Sequence, residues 1–162
     1  RWARARGIAV QFTCLEVADH AVAIARAKLA QSPDPAVQVV QEDAFRHQPT
    51  EPYDCAVSSM CFHHFDDAQI LALVEHLRGF VTGSLLINDL RRTPLAALAA
   101  RMLLVGSPAG VRHDALLSIQ RGFRIRELSA LLGQLNHVAV SVRPALWFRI
   151  AATICFQPGE TP

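Results

Sequence analysis

The residues richest in chemistry lie together in SSMCFHHFDD, Ser58 to Asp67. A thiol, two adjacent imidazoles and two carboxylates could ligate a metal, move protons, or mark the end of a buried strand beside a ligand pocket. Geometry argues against the metal. Neighbouring side chains point to opposite faces of a strand, and in a helix they diverge by about a quarter turn or more. His63 and His64 therefore cannot converge on one ion. Cys61 and His63 could share a face, but a tetrahedral zinc centre needs further ligands and no companion pair stands at zinc spacing elsewhere. Asp66 and Asp67 suit the N-terminus of the helix that follows. Two more carboxylates, Glu16 and Asp43, each fall where an apolar run ends. Taken alone, Glu16 reads as an acid favoured by a helix dipole and Asp43 as a turn aspartate.

The elements that must position these groups follow from periodicity. IAVQFTCLEV is a buried strand ending near Leu15 or Glu16. ADHAVAIARAKLAQ is a helix, with Val22, Ala25 and Leu29 at helical spacing and Asp19 as its cap. SPDP stops it. VQVVQ is a second strand leading into the loop EDAF, and YDCAVSSM a third. DDAQILALVEHLRGFV is a helix with the stripe Ile70, Leu73, Val74 and Leu77. TGS turns the chain into a fourth strand, LLINDL. This alternation is the pattern of a parallel sheet covered by helices. PLAALAARMLLVG, RHDALLSIQRGF and RIRELSALLGQL then read as helices, the last with Ile125, Leu128, Leu131 and Leu132 on one side. VAVSVRPALWFRIAATICF, interrupted at Pro144, reads as two antiparallel strands and a connection. QPGETP is a frayed tail.

With 162 residues the chain can bury a core, and its net charge of +2, free of like-charge runs, gives nucleic-acid binding no support. The apolar run after Pro94 is too short for a membrane span of ~20 residues. The four cysteines form no CxxC pair and read as reduced, mostly buried thiols of a cytoplasmic protein.

In order and spacing, TCLEVADHAVAIARAKL, VVQEDAF, YDCAVSSMCFHHFDD and LLINDLRR resemble the class I S-adenosylmethionine-dependent methyltransferases of the small-molecule kind. The resemblance implies an α/β fold: a doubly wound, mostly parallel Rossmann-like sheet of order 3-2-1-4-5-7-6, with the cofactor across the strands' carboxyl ends. It implies that Glu16 accepts the ribose hydroxyls, Asp43 the adenine amino group, and that Ala44 offers its N–H to an adenine nitrogen. Relatives more often carry aspartate where Glu16 stands. Ser59 is implied as a cofactor contact, with Met60 and Phe62 lining an apolar pocket or simply packing. If the acceptor is a hydroxyl, His64 and His113 are the candidate catalytic bases. Asp89 could face the acceptor, while Arg91 and Arg92 are solvated. Residues 1–162 form one domain, in which 94–123 is a helical lid over a lipophilic or aromatic acceptor.

The family's glycine-rich loop and its first strand have no counterpart here. RWARARG reads as the end of the helix that follows that loop, capped by Gly7. The chain is therefore expected to be N-terminally truncated, less stable than a complete relative and a weak binder of S-adenosylmethionine. Its bare strand edges could support self-association, and a catalytically inactive interaction module is the alternative reading.

Overall fold

The computed structural model describes residues 3–156. Arg1 and Trp2, which open the expected helix tail, and the expected frayed end 157–162 lie outside the described residues. The chain forms two compact units, residues 1–48 and 49–162.

The first unit begins with a single tight turn, Arg4–Arg6, closed by Gly7. Gly7 adopts φ +67°, and Ile8 N–H donates back to Ala3 O at 3.0 Å. That is how a helix C-terminus ends on a left-handed glycine. Strand β1 (Phe12–Glu16), helix α1 (Asp19–Gln31) and strand β2 (Val37–Gln41) follow. β1 and β2 pair in parallel, Phe12 opposite Val37 through Glu16 opposite Gln41. The cap of α1 differs from expectation. Ala18 stands at the cap position without a side-chain bond, and Asp19 lies inside the first turn. The Asp19 carboxylate instead accepts from Gln41 Nε2, which ties the strand–helix turn to the end of β2.

The second unit is a four-stranded sheet in the order β3-β4-β6-β5. Its strands are β3 (Tyr53–Ser59), β4 (Val81–Leu90), β5 (Val138–Ala145) and β6 (Arg149–Phe156). β3 and β4 are parallel, while β6 runs antiparallel to both β4 and β5. Helix α2 (Asp67–Arg78) starts on a capping box: Asp66 accepts from Gln69 N–H at 2.8 Å, and Gln69 answers to Asp66 N–H at 3.0 Å. Its stripe Ile70, Leu73, Val74 and Leu77 is buried, as is the Leu128, Leu131 and Leu132 side of α5 (Ile125–Leu132). The two helices cover one sheet face, where Leu85, Ile87, Ile150, Ala152 and Ile154 are buried. Each such side chain stabilises by about 1.5–3 kcal/mol. α3 (Pro94–Leu103) and α4 (Ala109–Arg121) pack on each other, and α4 also packs on the tight turn Phe62–His64 after β3.

Within the second unit, no described helix covers the opposite sheet face. Val57 is 71% exposed and Leu86 40%, on neighbouring strands. This corrects the reading of the thiols: Cys14, Cys55 and Cys155 are exposed, and Cys61 is half-buried. Cys55 and Cys155 flank Ser84 on that open face.

Two turn assignments also change. Thr82-Gly83-Ser84 belongs to β4 and does not turn the chain. A Cβ on Gly83 would stand 2.4 Å from Asp54 O, so glycine is there for the close approach of β3 at an irregularity in register. Pro144 lies within β5, opposite Ile150, and the hairpin turns at 146–148. β5 is the edge of its sheet, where a missing N–H costs no ladder bond.

Candidate functional site

Parallel pairing brings the ends of β1 and β2 side by side. Glu42 N–H donates to Glu16 O at 3.1 Å, continuing the ladder past both strands. Glu16 and Asp43 thus stand on one rim; a strand spacing of ~4.8 Å and a two-residue offset put their Cα atoms on the order of 8 Å apart. One oxygen of Glu16, Oε1, accepts the N–H groups of Val17 and Ala18, both at 2.9 Å. That fixes the carboxylate at the strand–helix turn and leaves Oε2 without a partner among the described residues. Asp43 Oδ1 accepts from Phe45 N–H at 3.0 Å, and its carbonyl accepts from the N–H groups of Arg46 and His47. This tight turn leaves Asp43 Oδ2 and the Ala44 N–H without partners among the described residues. Buried His47 holds the loop from below, Nδ1 to Glu42 Oε2 at 2.6 Å.

In the second unit the carboxyl ends of β3 and β4 carry SSMCFHHFDD and Asp89. Asp89 is 0% exposed and makes four hydrogen bonds. Oδ2 accepts the N–H of Cys61 at 3.1 Å and of His63 at 3.3 Å. Oδ1 accepts the Leu90 N–H at 2.7 Å and lies 2.6 Å from His63 Nδ1. His63 is itself buried, and His64 stacks on it with ring centroids 4.1 Å apart. Burial lowers the pKa of His64 below its ordinary 6.5; nearby His63 and Arg121 lower it further, against an opposing pull from Asp89. His64 is therefore neutral at neutral pH, with a ring nitrogen able to accept a proton. His113 is an exposed residue on α4, eight positions before Arg121. At 1.5 Å per residue that is about 12 Å along the helix from Arg121, the α4 residue whose charge acts on His64.

A family model described as a methyltransferase domain matches residues 1–82, just over half the chain. The chain belongs to this methyltransferase domain family. No curated protein matches it. Among solved structures, this methyltransferase domain is similar to the plantazolicin methyltransferase BpumL in complex with a pentazolic desmethylPZN analog and SAH: TM-score 0.69, 11% identity, 96% of this chain and 70% of that one. It is also similar to magnesium protoporphyrin IX methyltransferase (ChlM) from Synechocystis PCC 6803 with bound SAH: TM-score 0.62, 12% identity, 96% and 79% coverage. The pyocyanin biosynthetic protein PhzM gives TM-score 0.64 at 17% identity, over 91% of this chain but 43% of that one. At these identities the likeness is one of fold: an α/β Rossmann-like methyltransferase architecture, here with its strands in two sheets.

Against the expected site, the methyltransferase domain brings Glu16, Asp43 and Ala44 to one rim, and exposes Ser59 and Met60 at the end of β3. Phe62 lines no pocket: it is 1% exposed, packed edge-on to Phe65. Asp89 does not face an acceptor; the alternation of β4 turns it to the helix-covered face, beside Ile87 and Leu85. Arg92 is not free in solvent but pairs with Glu127. The His63–Asp89 pair went unread in the sequence. The available signal was the polar end of LLINDL falling on the same alternation as its buried Leu85 and Ile87. Among the described residues no cluster of His, Cys, Asp and Glu could hold a metal ion, and no helix is long and apolar enough to cross a membrane.

Proposed function

We propose that this protein transfers a methyl group from S-adenosylmethionine to a small, apolar or aromatic acceptor. The observation that carries the reading is the rim of β1 and β2. There an unpartnered carboxylate oxygen of Glu16 stands near an unpartnered carboxylate oxygen and N–H at Asp43 and Ala44. A nucleoside presents the matching set: vicinal hydroxyl donors on the ribose, an amino donor and a ring-nitrogen acceptor on the adenine. The residues present therefore fit the cofactor, with Glu16 on the ribose and Asp43 and Ala44 on the adenine. Ser59 keeps the cofactor contact that the family resemblance implies.

S-adenosylmethionine, when bound, supplies a methyl carbon made electrophilic by its sulfonium. The side chains then have to hold the acceptor in line and, for a hydroxyl acceptor, remove its proton, and orientation supplies much of the rate. His64 is the base in this reading, since it is neutral at neutral pH and is held in place by the buried pair beneath it. His113 is the alternative base, carried by the 94–123 lid. Leu98, Met102, Leu103 and Val105 are exposed along α3 and after it, an apolar surface suited to covering a lipophilic acceptor.

Calorimetric titration with S-adenosylhomocysteine tests the reading. The protein should bind it, and Glu16→Ala should weaken binding roughly tenfold or more, the worth of two lost charge-assisted hydrogen bonds. Absence of binding, or binding indifferent to Glu16→Ala, would overturn the assignment and favour a non-catalytic interaction module that uses the open sheet face.

A further inference from the structure

We infer that the acceptor carries a carboxylate, bound by Arg143 and Arg149 in a cavity on the open face of the four-stranded sheet. The role as acceptor rests on the methyl-transfer reading; the anion site does not.

The cavity is a shallow depression, largely open to solvent, of about 780 Å³, and is lined by Asn88, Arg143, Pro144, Leu146, Arg149 and Ala151, among others. Its floor is a cross-strand row. Asn88 pairs with Ala151, and Ala151 with Arg143. The same row continues in the other direction to Ser59, the partner of Asn88 on β3. At ~4.8 Å per strand, Ser59 stands about 10 Å from the Ala151 at the cavity floor, along one uninterrupted surface. A ligand in the cavity therefore reaches toward the residue assigned to the cofactor.

The polar side chains of the cavity are the neutral Asn88 and two cations, Arg143 and Arg149. Arg149 sits two residues before Ala151 on β6, so it is the diagonal neighbour of Arg143, with about 7–8 Å between the two positions. Like charges so placed repel. No carboxylate lines the cavity, and Arg143 has no hydrogen bond or ion pair among the described residues. Arg149 donates to Met60 Sδ, a thioether and a weak acceptor. Two arginines line one face with no carboxylate among the lining residues, so an anion placed there would meet charge-assisted donors. The rest of the wall is apolar: Pro144, Ala145, and Leu146 at 82% exposed. At the hairpin tip Trp147 and Phe148 adopt φ 57° and 60°, as a tight hairpin turn requires. The chemistry thus selects a compact, partly apolar molecule with one acidic end.

The test compares 4-hydroxybenzoate with 4-hydroxybenzamide, equal in shape and different in charge, by calorimetry at low salt without cofactor. The benzoate should bind roughly tenfold tighter, with the advantage falling as salt rises. The double substitution Arg143→Gln/Arg149→Gln, at one exposed and one half-buried position and checked for native circular dichroism, should abolish that advantage. Equal binding of the two probes, or a preference that survives the double substitution, would overturn the inference. Binding of the benzoate in this pattern without binding of S-adenosylhomocysteine would keep the anion site and remove methyl transfer. Binding of S-adenosylhomocysteine with no preference between the probes would do the reverse.

Discussion

Asp89 offers the sharpest test of how the second unit is held together. Its carboxylate serves three backbone N–H groups and one imidazole, and nothing in it reaches solvent. Asp89→Asn keeps the shape but not the acceptors. With the amide nitrogen at the Oδ2 position it meets the N–H groups of Cys61 and His63; at the Oδ1 position it meets the N–H of Leu90. Either way a buried donor faces a buried donor, and one unsatisfied group of this kind costs about 1–3 kcal/mol. Asp89→Ala removes all four acceptor contacts and leaves His63 buried without its partner. The loss is then on the order of 3–5 kcal/mol, a large part of a total stability of about 5–15 kcal/mol. Urea titration followed by far-UV circular dichroism reads both. The expected order is wild type, Asp89→Asn, Asp89→Ala. Adding His63→Leu to Asp89→Asn should recover part of the loss, giving a coupling of about 0.5–3 kcal/mol. If Asp89→Ala unfolds within about 0.5 kcal/mol of wild type, which is the range of ordinary surface substitutions, the pair does not anchor the turn that carries His64.

Three further outcomes follow from named positions. His64 has a lowered folded-state pKa, so the unfolded chain binds more protons below pH ~6.5. Stability should be insensitive to this group above that pH and fall as pH drops through the window beneath it; His64→Gln should flatten the curve there in matched urea titrations. Gly83→Ala should destabilise by about 1–3 kcal/mol, because its Cβ would meet Asp54 O at 2.4 Å. Gly106→Ala has nothing within 4 Å and should be neutral or slightly stabilising in a thermal melt.

The elements were legible where a strong period coincided with punctuation. VQVVQ, the α2 stripe behind Asp66, and the Leu128–Leu132 side of α5 all appear where the sequence puts them. The misread turns share a cause. Gly83 and Pro144 are turn residues by habit, but one permits a close strand approach and the other sits on an edge, and both facts depend on which strand lies alongside. Exposure of the cysteines was equally out of reach, since alternation tells which residues share a face but not whether that face is covered. At the candidate site, Glu16 and Asp43 taken alone read as a helix-start acid and a turn aspartate. Only the family resemblance implied that they serve one site, and the parallel pairing of β1 and β2 places them on one rim. The His63–Asp89 contact spans 26 positions and needed the parallel register of β3 and β4.

A crystal structure of the protein soaked with S-adenosylhomocysteine addresses the central claim most directly. The expected result has the ribose hydroxyls within hydrogen-bond distance of Glu16 Oε2, and the adenine edge on the Asp43 carboxylate and Ala44 N–H. Density for the nucleoside elsewhere, with the β1–β2 rim bare, would contradict it.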